Sequence, residues 1–214
     1  MRRKGRNDLF VELCPFHAET LGIALDSIST VSDALVTVNK RLADSHFING
    51  GSERVLPAGL ARTLRAVLSR PAMLYLNTCE TPAGFVVAIV GVILRIPTRI
   101  LVHNVNAFSR GCTGHGSAKK ALFRLVFSVI LRNRIDRYYF LSTRAMCLFQ
   151  AGTVVQMQSR CALLGVNPKT RRRWASDQKP NARSSMQNPT IAVLGSIDFR
   201  RKDYGTLAAV AQRL

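Results

Sequence analysis

Short apolar runs and helix-like segments alternate along the chain up to about residue 142. Residues 18–28 have Leu21, Ile23, Leu25 and Ile28 as the apolar positions of a helix. Five apolar runs of strand length accompany such segments, at residues 9–14, 34–38, 72–76, 100–102 and 137–141. Strands that alternate with helices predict an α/β fold, in which a parallel sheet carries helices on both faces.

Three further segments carry predictions that depend on their apolar pattern. Residues 54–69 are expected to be helical towards their end, with Pro57 near the helix start. Residues 84–94 are apolar all round, which predicts a buried helix. Residues 118–132 predict an amphipathic helix whose apolar face consists of Leu122, Leu125, Val126, Val129 and Ile130.

The pattern changes after residue 158. Residues 159–189 are rich in Arg, Pro, Ser, Asn and Gln, which is typical of a linker. Residues 190–214 then give an apolar strand, Gly195, a basic loop and a helical pattern. We therefore expect one domain over 1–158, a basic linker over 159–189 and the first βα unit of a second domain over 190–214.

Polar side chains follow several of the predicted strands. In a parallel sheet, ligands bind beyond the carboxyl ends of the strands. The polar residues at these ends are His17, Glu19, Asn39, residues 77–80, His103, Asn104 and Ser142. His103 is suited to a hydrogen bond with a substrate hydroxyl or phosphate, although a structural histidine also fits this position. Glu19 is equally explained by the dipole of the helix that it begins.

The charge of the chain adds an expected class of partner. Lys and Arg number 31 against 12 Asp and Glu, a formal charge of +19, which predicts an anionic partner. Nucleic acid, an anionic membrane and phosphorylated small molecules all satisfy this. Aromatic residues make up 7% and are not interleaved with the cations, which weakens a nucleic-acid interpretation based on stacking.

Several classes of protein are disfavoured by missing motifs. The sequence has no Walker A pattern, no G-x-G-x-x-G after the first strand, no H-E-x-x-H and no G-x-S-x-G. Its five cysteines are scattered and form no C-x-x-C pair, so we expect no metal site and a reducing cytoplasm. The longest charge-free apolar stretch, 81–94, is shorter than the roughly 18–20 residues that cross a bilayer.

Two stretches resemble GT-B glycosyltransferases of the retaining group called family 4. ILVHNVNAF at 100–108 is similar to the family's strand that ends in a histidine at the interdomain cleft. LGSIDFRRKDYGTLAAVAQRL at 194–214 is similar to the strand, glycine, basic loop and helix that open its second domain. The resemblance implies a Rossmann-like first domain and a nucleotide-sugar donor as substrate, with no cofactor and no bound metal.

The same resemblance implies roles for particular residues. His103 would be the catalytic residue near the transferred sugar. The donor diphosphate would be bound by Gly195, Ser196, Arg201 and Lys202. The acceptor side would be shaped by His17, Glu19, Asn104 and Gly114. The acceptor would be a glycan or a lipid-linked glycan, and the basic segments 2–6 and 119–132 suit peripheral contact with the inner face of an anionic membrane.

Three interpretations remain open at this point. The family's second domain continues beyond the point where this sequence ends, so we expect a truncated form that lacks most of the donor domain and does not bind the donor competently or act as an enzyme by itself. The charge of +19 also fits a basic α/β module that binds nucleic acid or an anionic membrane without catalysis. A third possibility is a non-catalytic partner that borrows a donor domain from another chain.

Overall fold

The structure, a computed structural model, describes residues 7–29, 34–45, 48, 54–108, 125–151 and 159–165. Within these ranges the strands are β1 (Leu9–Glu12), β2 (Leu35–Val38), β3 (Arg54–Pro57), β4 (Leu74–Leu76), β5 (Thr98–Val102), β6 (Arg137–Phe140) and β7 (Cys161–Leu163). The helices are α1 (Ala18–Ile28), α2 (Leu60–Leu68), α3 (Pro82–Ile93), α4 (Val105–Phe108) and α5 (Thr143–Ala151). A 3₁₀ turn lies at Lys40–Leu42 and a π-helical turn at Phe127–Leu131.

The seven strands form one sheet in the order β3-β2-β1-β4-β5-β6-β7. Every pairing between neighbours is parallel. From β1 the chain builds outwards to β3, crosses back to β4 and then builds in the other direction to β7. The sheet is therefore Rossmann-like, as predicted, and its topological switch point lies between β1 and β4.

Alternate residues of each strand face two separate cores. Leu9 and Val11 pack with α2, α3, α5 and the π-helical turn on one face of the sheet, whereas Phe10 packs with α1 on the other. Leu74 and Tyr75 divide between the two faces in the same way. Since both faces are covered, the strands contain continuous apolar runs, and this is why the sequence predicted five of them correctly.

The start of α3 is fixed by a cap and by close contact with the loop after β4. The Thr81 side chain accepts a hydrogen bond from Gly84 N at 3.1 Å, and Pro82 occupies the first turn, where it loses no helical hydrogen bond. A β-carbon on Gly84 would overlap the backbone carbonyl of Thr78. Glycine at this position therefore lets the helix approach the end of β4.

Two strands were not predicted from the sequence. Residues 54–57 were interpreted as the approach to a helix, but they form β3, and the helix begins only at Leu60 after Gly59. Pro57 is tolerated because β3 is at the edge of the sheet. Residues 161–163, at the start of the segment interpreted as a linker, form β7 at the opposite edge.

Two helices expose apolar side chains that the sequence pattern placed inside. On α3, Val86 is 39% and Ile93 is 68% exposed, so this helix is not buried all round. In the segment from residue 125, Phe127 and Leu131 enter the core, whereas Leu125, Val129 and Ile130 are exposed. The prediction that these three residues face the core is therefore wrong. The rest of the predicted helix, 118–124, and the whole of 190–214 lie outside the described residues.

Candidate functional site

Three loops meet at the topological switch point of the sheet. They follow the carboxyl ends of β1, β4 and β5 and carry Glu12 to His17, Asn77 to Glu80, and His103 with Asn104. Open parallel sheets bind their ligands in this crevice, because the loops on its two sides diverge here.

The carboxylate of Glu12 joins the first two loops. This side chain is fully buried at the end of β1. Its Oε2 accepts hydrogen bonds from Asn77 Nδ2 at 2.7 Å and Thr78 Oγ1 at 2.6 Å, and its Oε1 accepts one from Cys14 N at 2.8 Å. The loop after β1 is thereby held against the end of β4.

Asn77 extends this network to His17. Its Nδ2 donates to the carbonyl oxygen of His17 at 2.9 Å, and Thr20 Oγ1 donates to the same oxygen at 3.0 Å. His17 precedes α1 with φ 71° and ψ 32°, a left-handed conformation that is uncommon for a residue with a side chain. The buried Glu12–Asn77 pair therefore holds His17 in a fixed and unusual backbone conformation.

The rings of His17 and His103 are stacked across the crevice. Their centroids lie 4.1 Å apart with an interplanar angle of 24°. The ring of Phe16 meets the ring of His17 edge-on, with their centroids 6.3 Å apart, and the Phe16 side chain is 60% exposed. The site therefore has a histidine pair at its centre and an exposed aromatic ring beside it.

His103 is held as a neutral ring with one nitrogen unused. The backbone of Asn77 lies near the ring and acts to raise its pKa, against the other causes. The Nε2 of His103 is buried and has no hydrogen-bond partner among the described residues, and we assign the ring proton to Nδ1. Burial, with His17 as a second cause, lowers the pKa of His103 to about 4. At neutral pH, Nε2 is accordingly a buried hydrogen-bond acceptor without a donor.

Glu80 fixes the backbone of the third loop. Its Oε1 accepts hydrogen bonds from His103 N at 2.9 Å and Asn104 N at 3.0 Å. Its Oε2 is buried and, within the part of the chain that the structure describes, has no partner. Burial raises the pKa of this carboxyl above its ordinary value.

Glu12 titrates near neutral pH. Burial raises its pKa from 4.5 to about 7, against the hydrogen bonds from Thr78, Asn77 and Cys14, which lower it. The ring of His17 is partly removed from solvent, and its pKa is lowered, although Glu19 acts in the opposite direction. The site thus combines neutral imidazoles with carboxyls that hold protons unusually well, and it favours an uncharged ligand over a second anion.

The structure brings some of the predicted site residues together. His17, His103 and Asn104 all lie in the three loops of the crevice. Glu19 is exposed in the first turn of α1 and acts on His17 through its charge. Five predicted residues lie outside the described ranges: Gly114, Gly195, Ser196, Arg201 and Lys202.

Other polar residues at the strand ends have structural roles. Asn39 caps the 3₁₀ turn by accepting from Arg41 N at 3.1 Å, and it donates to the carbonyl of Leu13 at 3.1 Å. Ser142 Oγ accepts from Ala145 N at the start of α5. Their positions at the ligand edge are therefore explained without a ligand.

Sequence reasoning missed Glu12 and Phe16 as members of the site. Glu12 lies inside the apolar run LFVEL, and a carboxylate at the end of a buried strand was the signal available for it. The contact of Phe16 with the histidine pair depends on the left-handed turn at His17, which the sequence does not specify. Among the described residues, no group of three or more His, Cys, Asp or Glu is placed to hold a metal ion.

Comparison with known proteins gives no match to any protein-family model or curated sequence. Two solved structures are similar in part. HepE of Anabaena, in complex with UDP and glucose, is 20% identical with a TM-score of 0.48, over 74% of this chain and 44% of HepE. UDP-N-acetylglucosamine 2-epimerase of Rickettsia bellii is 11% identical with a TM-score of 0.48, over 80% of this chain and 48% of the epimerase. The chain spans less than half the length of either protein.

Proposed function

We propose that the protein is a glycosyltransferase that moves a sugar from a nucleotide-sugar donor to a glycan or lipid-linked acceptor. The observation that carries this proposal is that two buried atoms at the switch point, His103 Nε2 and Glu80 Oε2, have no hydrogen-bond partner within the described residues. A buried polar atom without a partner is costly, and it is satisfied when a ligand supplies the missing hydrogen bond.

The chemistry of these atoms favours a hydroxyl-bearing ligand. A neutral imidazole nitrogen needs a donor, which a sugar hydroxyl provides and an ionised phosphate does not, and a hydroxyl also pairs with a carboxyl oxygen in either protonation state. The exposed ring of Phe16 adds an apolar surface beside the histidine pair, of the kind that the C–H face of a sugar contacts. The described part of the site is thus suited to the sugar rather than to the diphosphate.

The proposed diphosphate site is the basic loop predicted from the sequence. In transfer, the bond between the anomeric carbon and the diphosphate oxygen breaks, and a bond to an acceptor hydroxyl oxygen forms, with release of that hydroxyl's proton. Negative charge develops on the leaving diphosphate, and Arg201 and Lys202 are proposed to neutralise it, together with backbone N–H groups near Gly195 and Ser196. The resemblance of residues 194–214 to a donor-domain opening supports this assignment.

His103 is proposed to orient the transferred sugar. Its ring is assigned the proton on Nδ1, near the backbone of Asn77, and its own backbone is fixed by Glu80. A preorganised acceptor of this kind holds one sugar hydroxyl in place without rearrangement during the reaction. His17, Glu19, Asn104 and Gly114 remain the proposed acceptor-side residues, and we propose a cytoplasmic protein with peripheral contact to the inner face of an anionic membrane.

The test is transfer by the full-length protein. The purified protein is incubated with radiolabelled nucleotide sugars and a lipid extract, and labelled product and free nucleoside diphosphate are measured. We expect at least one donor to be used, and His103→Ala to lower the rate by roughly 100-fold, the usual order for a lost transition-state hydrogen bond. Ser69→Ala, at the end of α2 and near the amino ends of the strands, should leave the rate unchanged. Equal rates for His103→Ala and the parent would contradict the assignment.

A second candidate function rests on the charge of +19. A basic module without catalysis would bind nucleic acid, with an affinity that falls steeply as salt concentration rises. Oligonucleotide binding measured across a salt series, in parallel with the transfer assay, separates the two candidates: tight saturable binding without transfer favours the module.

A further inference from the structure

Helix α3 exposes apolar side chains where a surface helix normally carries charge. Its sequence from Pro82 to Ile93 contains no charged residue. Val86 and Ile93 lie seven residues apart, hence on the same side of the helix, and are 39% and 68% exposed. The residues on this outward side do not belong to the buried core, into which Val87 and Ala88 of the same helix pack.

The segment beside α3 repeats this arrangement. Phe127 and Leu131 pack into the core, and Leu125, Val129 and Ile130 are 59%, 73% and 40% exposed. Contacts place the π-helical turn against α3, and α3 against α2 on its other side. The three elements therefore form one layer on the same face of the sheet. We refer to Val86, Ile93, Leu125, Val129 and Ile130 as the α3 surface.

This layer is basic and contains no carboxylate. Residues 60–70, 82–95 and 125–135 include no Asp or Glu. They include six arginines, at positions 62, 65, 70, 95, 132 and 134. The nearest following carboxylate, Asp136, is paired with Arg99 at 3.2 Å. Arg95 and Arg134 are exposed and follow the apolar residues at the carboxyl ends of their elements.

We infer that the α3 surface docks on an anionic lipid bilayer. Exposed aliphatic side chains bordered by arginines match the two parts of a bilayer interface, its acyl boundary and its anionic headgroups. The aliphatic residues distinguish this partner from nucleic acid, whose phosphates would need the arginines alone. The charge of +19 agrees with attraction to such a membrane over the whole chain.

The position of this surface also relates it to the site. Thr81, which caps α3, follows Glu80 of the candidate site, and Val86 lies little more than a turn further along the helix. The opposite end of the layer, just before the amino ends of β5 and β6, carries Ile93, Arg95 and Arg134. The inference deepens the membrane contact of the proposed function and rests on it in that respect, but it is separable from the transfer chemistry: membrane binding without sugar transfer would support it while the proposed transfer failed.

The experiment is flotation of the full chain with vesicles of phosphatidylcholine alone and of phosphatidylcholine mixed with phosphatidylglycerol. We expect binding to the anionic vesicles only. The double variant Ile93→Ser/Val129→Ser should lower the partition coefficient by about tenfold, because two aliphatic contacts are lost. Leu56→Ser, a change of the same kind on the edge strand β3, is the matched control and should bind as the parent does.

A second pair of variants keeps the test valid if the apolar changes impair folding. Arg95→Gln/Arg134→Gln leaves the aliphatic side chains in place, and each lost arginine should lower partition about fivefold at low salt. The inference is overturned if the parent does not bind anionic vesicles, or if the arginine variants bind them as the parent does.

Other occupants of the α3 surface give different results, each of which overturns the inference. A parent dimer that Ile93→Ser/Val129→Ser dissociates in size-exclusion chromatography would show that a second copy covers the surface. Another part of this chain covers the surface if Ile93→Ser/Val129→Ser loses as much stability as a core substitution does, while the arginine variants float with anionic vesicles as the parent does. Binding of oligonucleotides in preference to anionic vesicles would identify nucleic acid as the partner.

Discussion

At the scale of single residues, Glu12 and His103 make the free energy of unfolding depend on pH in opposite directions. The pKa of His103 is lowered to about 4, so the unfolded chain binds a proton that the folded state does not, and stability is lost as pH falls from about 6.5 towards 4. The pKa of Glu12 is raised to about 7, so the folded state holds the extra proton. For this residue, stability is lost as pH rises from about 4.5 to about 7.

Replacement of Glu12 by Gln should remove its part of this dependence. The variant lacks a carboxyl that must ionise in a buried position. The difference in the free energy of unfolding, variant minus parent, should therefore increase by on the order of 1–3 kcal/mol from pH 5 to pH 8. Urea denaturation followed by circular dichroism at both pH values measures the difference. Ser69→Ala changes no titratable group and serves as the control. A difference between variant and parent that is the same at pH 5 and pH 8 would contradict the raised pKa of Glu12.

Sequence predicted His17 and His103 as site residues but not the geometry that relates them. Their positions after apolar runs were sufficient to place both at the ligand edge. The stacking of the two rings depends on the left-handed backbone at His17 and on the hydrogen bonds from Asn77, and neither has a signature in the sequence. Glu12 was missed because a carboxylate inside an apolar run is normally taken as the exposed side of a strand.

At the scale of elements, the contact between α3 and the end of β4 connects packing to the site. Gly84 allows this contact, and the neighbouring Thr78 donates its hydroxyl to Glu12. A change at Gly84 therefore acts on the candidate site through the backbone of Thr78.

Gly84→Ala should be destabilising because its methyl group meets backbone that cannot rotate away. We expect a loss of roughly 1–3 kcal/mol, as for other overpacked core positions. Gly165→Ala is the matched control, since a β-carbon there meets nothing within 4 Å. Thermal unfolding of the two variants beside the parent measures the effect. Equal unfolding temperatures for the two variants would show that α3 does not approach Thr78 so closely.

The elements that were predicted correctly differ physically from those that were not. Central strands such as β1 and β5 are buried on both faces, so their apolar runs identify them. The edge strands β3 and β7 are exposed or only half-buried, RVLP contains an arginine and a proline, and the apolar CAL lies directly after Arg160 in a segment rich in polar residues. The segment from residue 125 has apolar residues on two sides. The helical spacing of those residues therefore predicted as core-facing the side that the structure exposes.

At the scale of the whole molecule, the parallel sheet defines where chemistry is placed. The strand order locates the crevice between β1 and β4, and the charge of +19 suits a phosphorylated substrate and an anionic membrane alike. None of the helices within the described ranges is long and apolar enough to span a bilayer. The domain boundaries predicted at residues 158 and 189 and the donor-binding loop stay predictions.

The central claim is that the histidine pair at the switch point receives a sugar hydroxyl. Side-chain ¹H–¹⁵N correlation spectra of the histidine-labelled chain test it most directly, with His103 assigned from His103→Gln. We expect an unprotonated Nε2 and a protonated Nδ1 in the free protein at pH 7. We also expect the Nε2 resonance to shift with at least one nucleotide sugar and not with the corresponding nucleoside diphosphate. A protonated Nε2 in the free protein, or the same shift with the diphosphate alone, would contradict it.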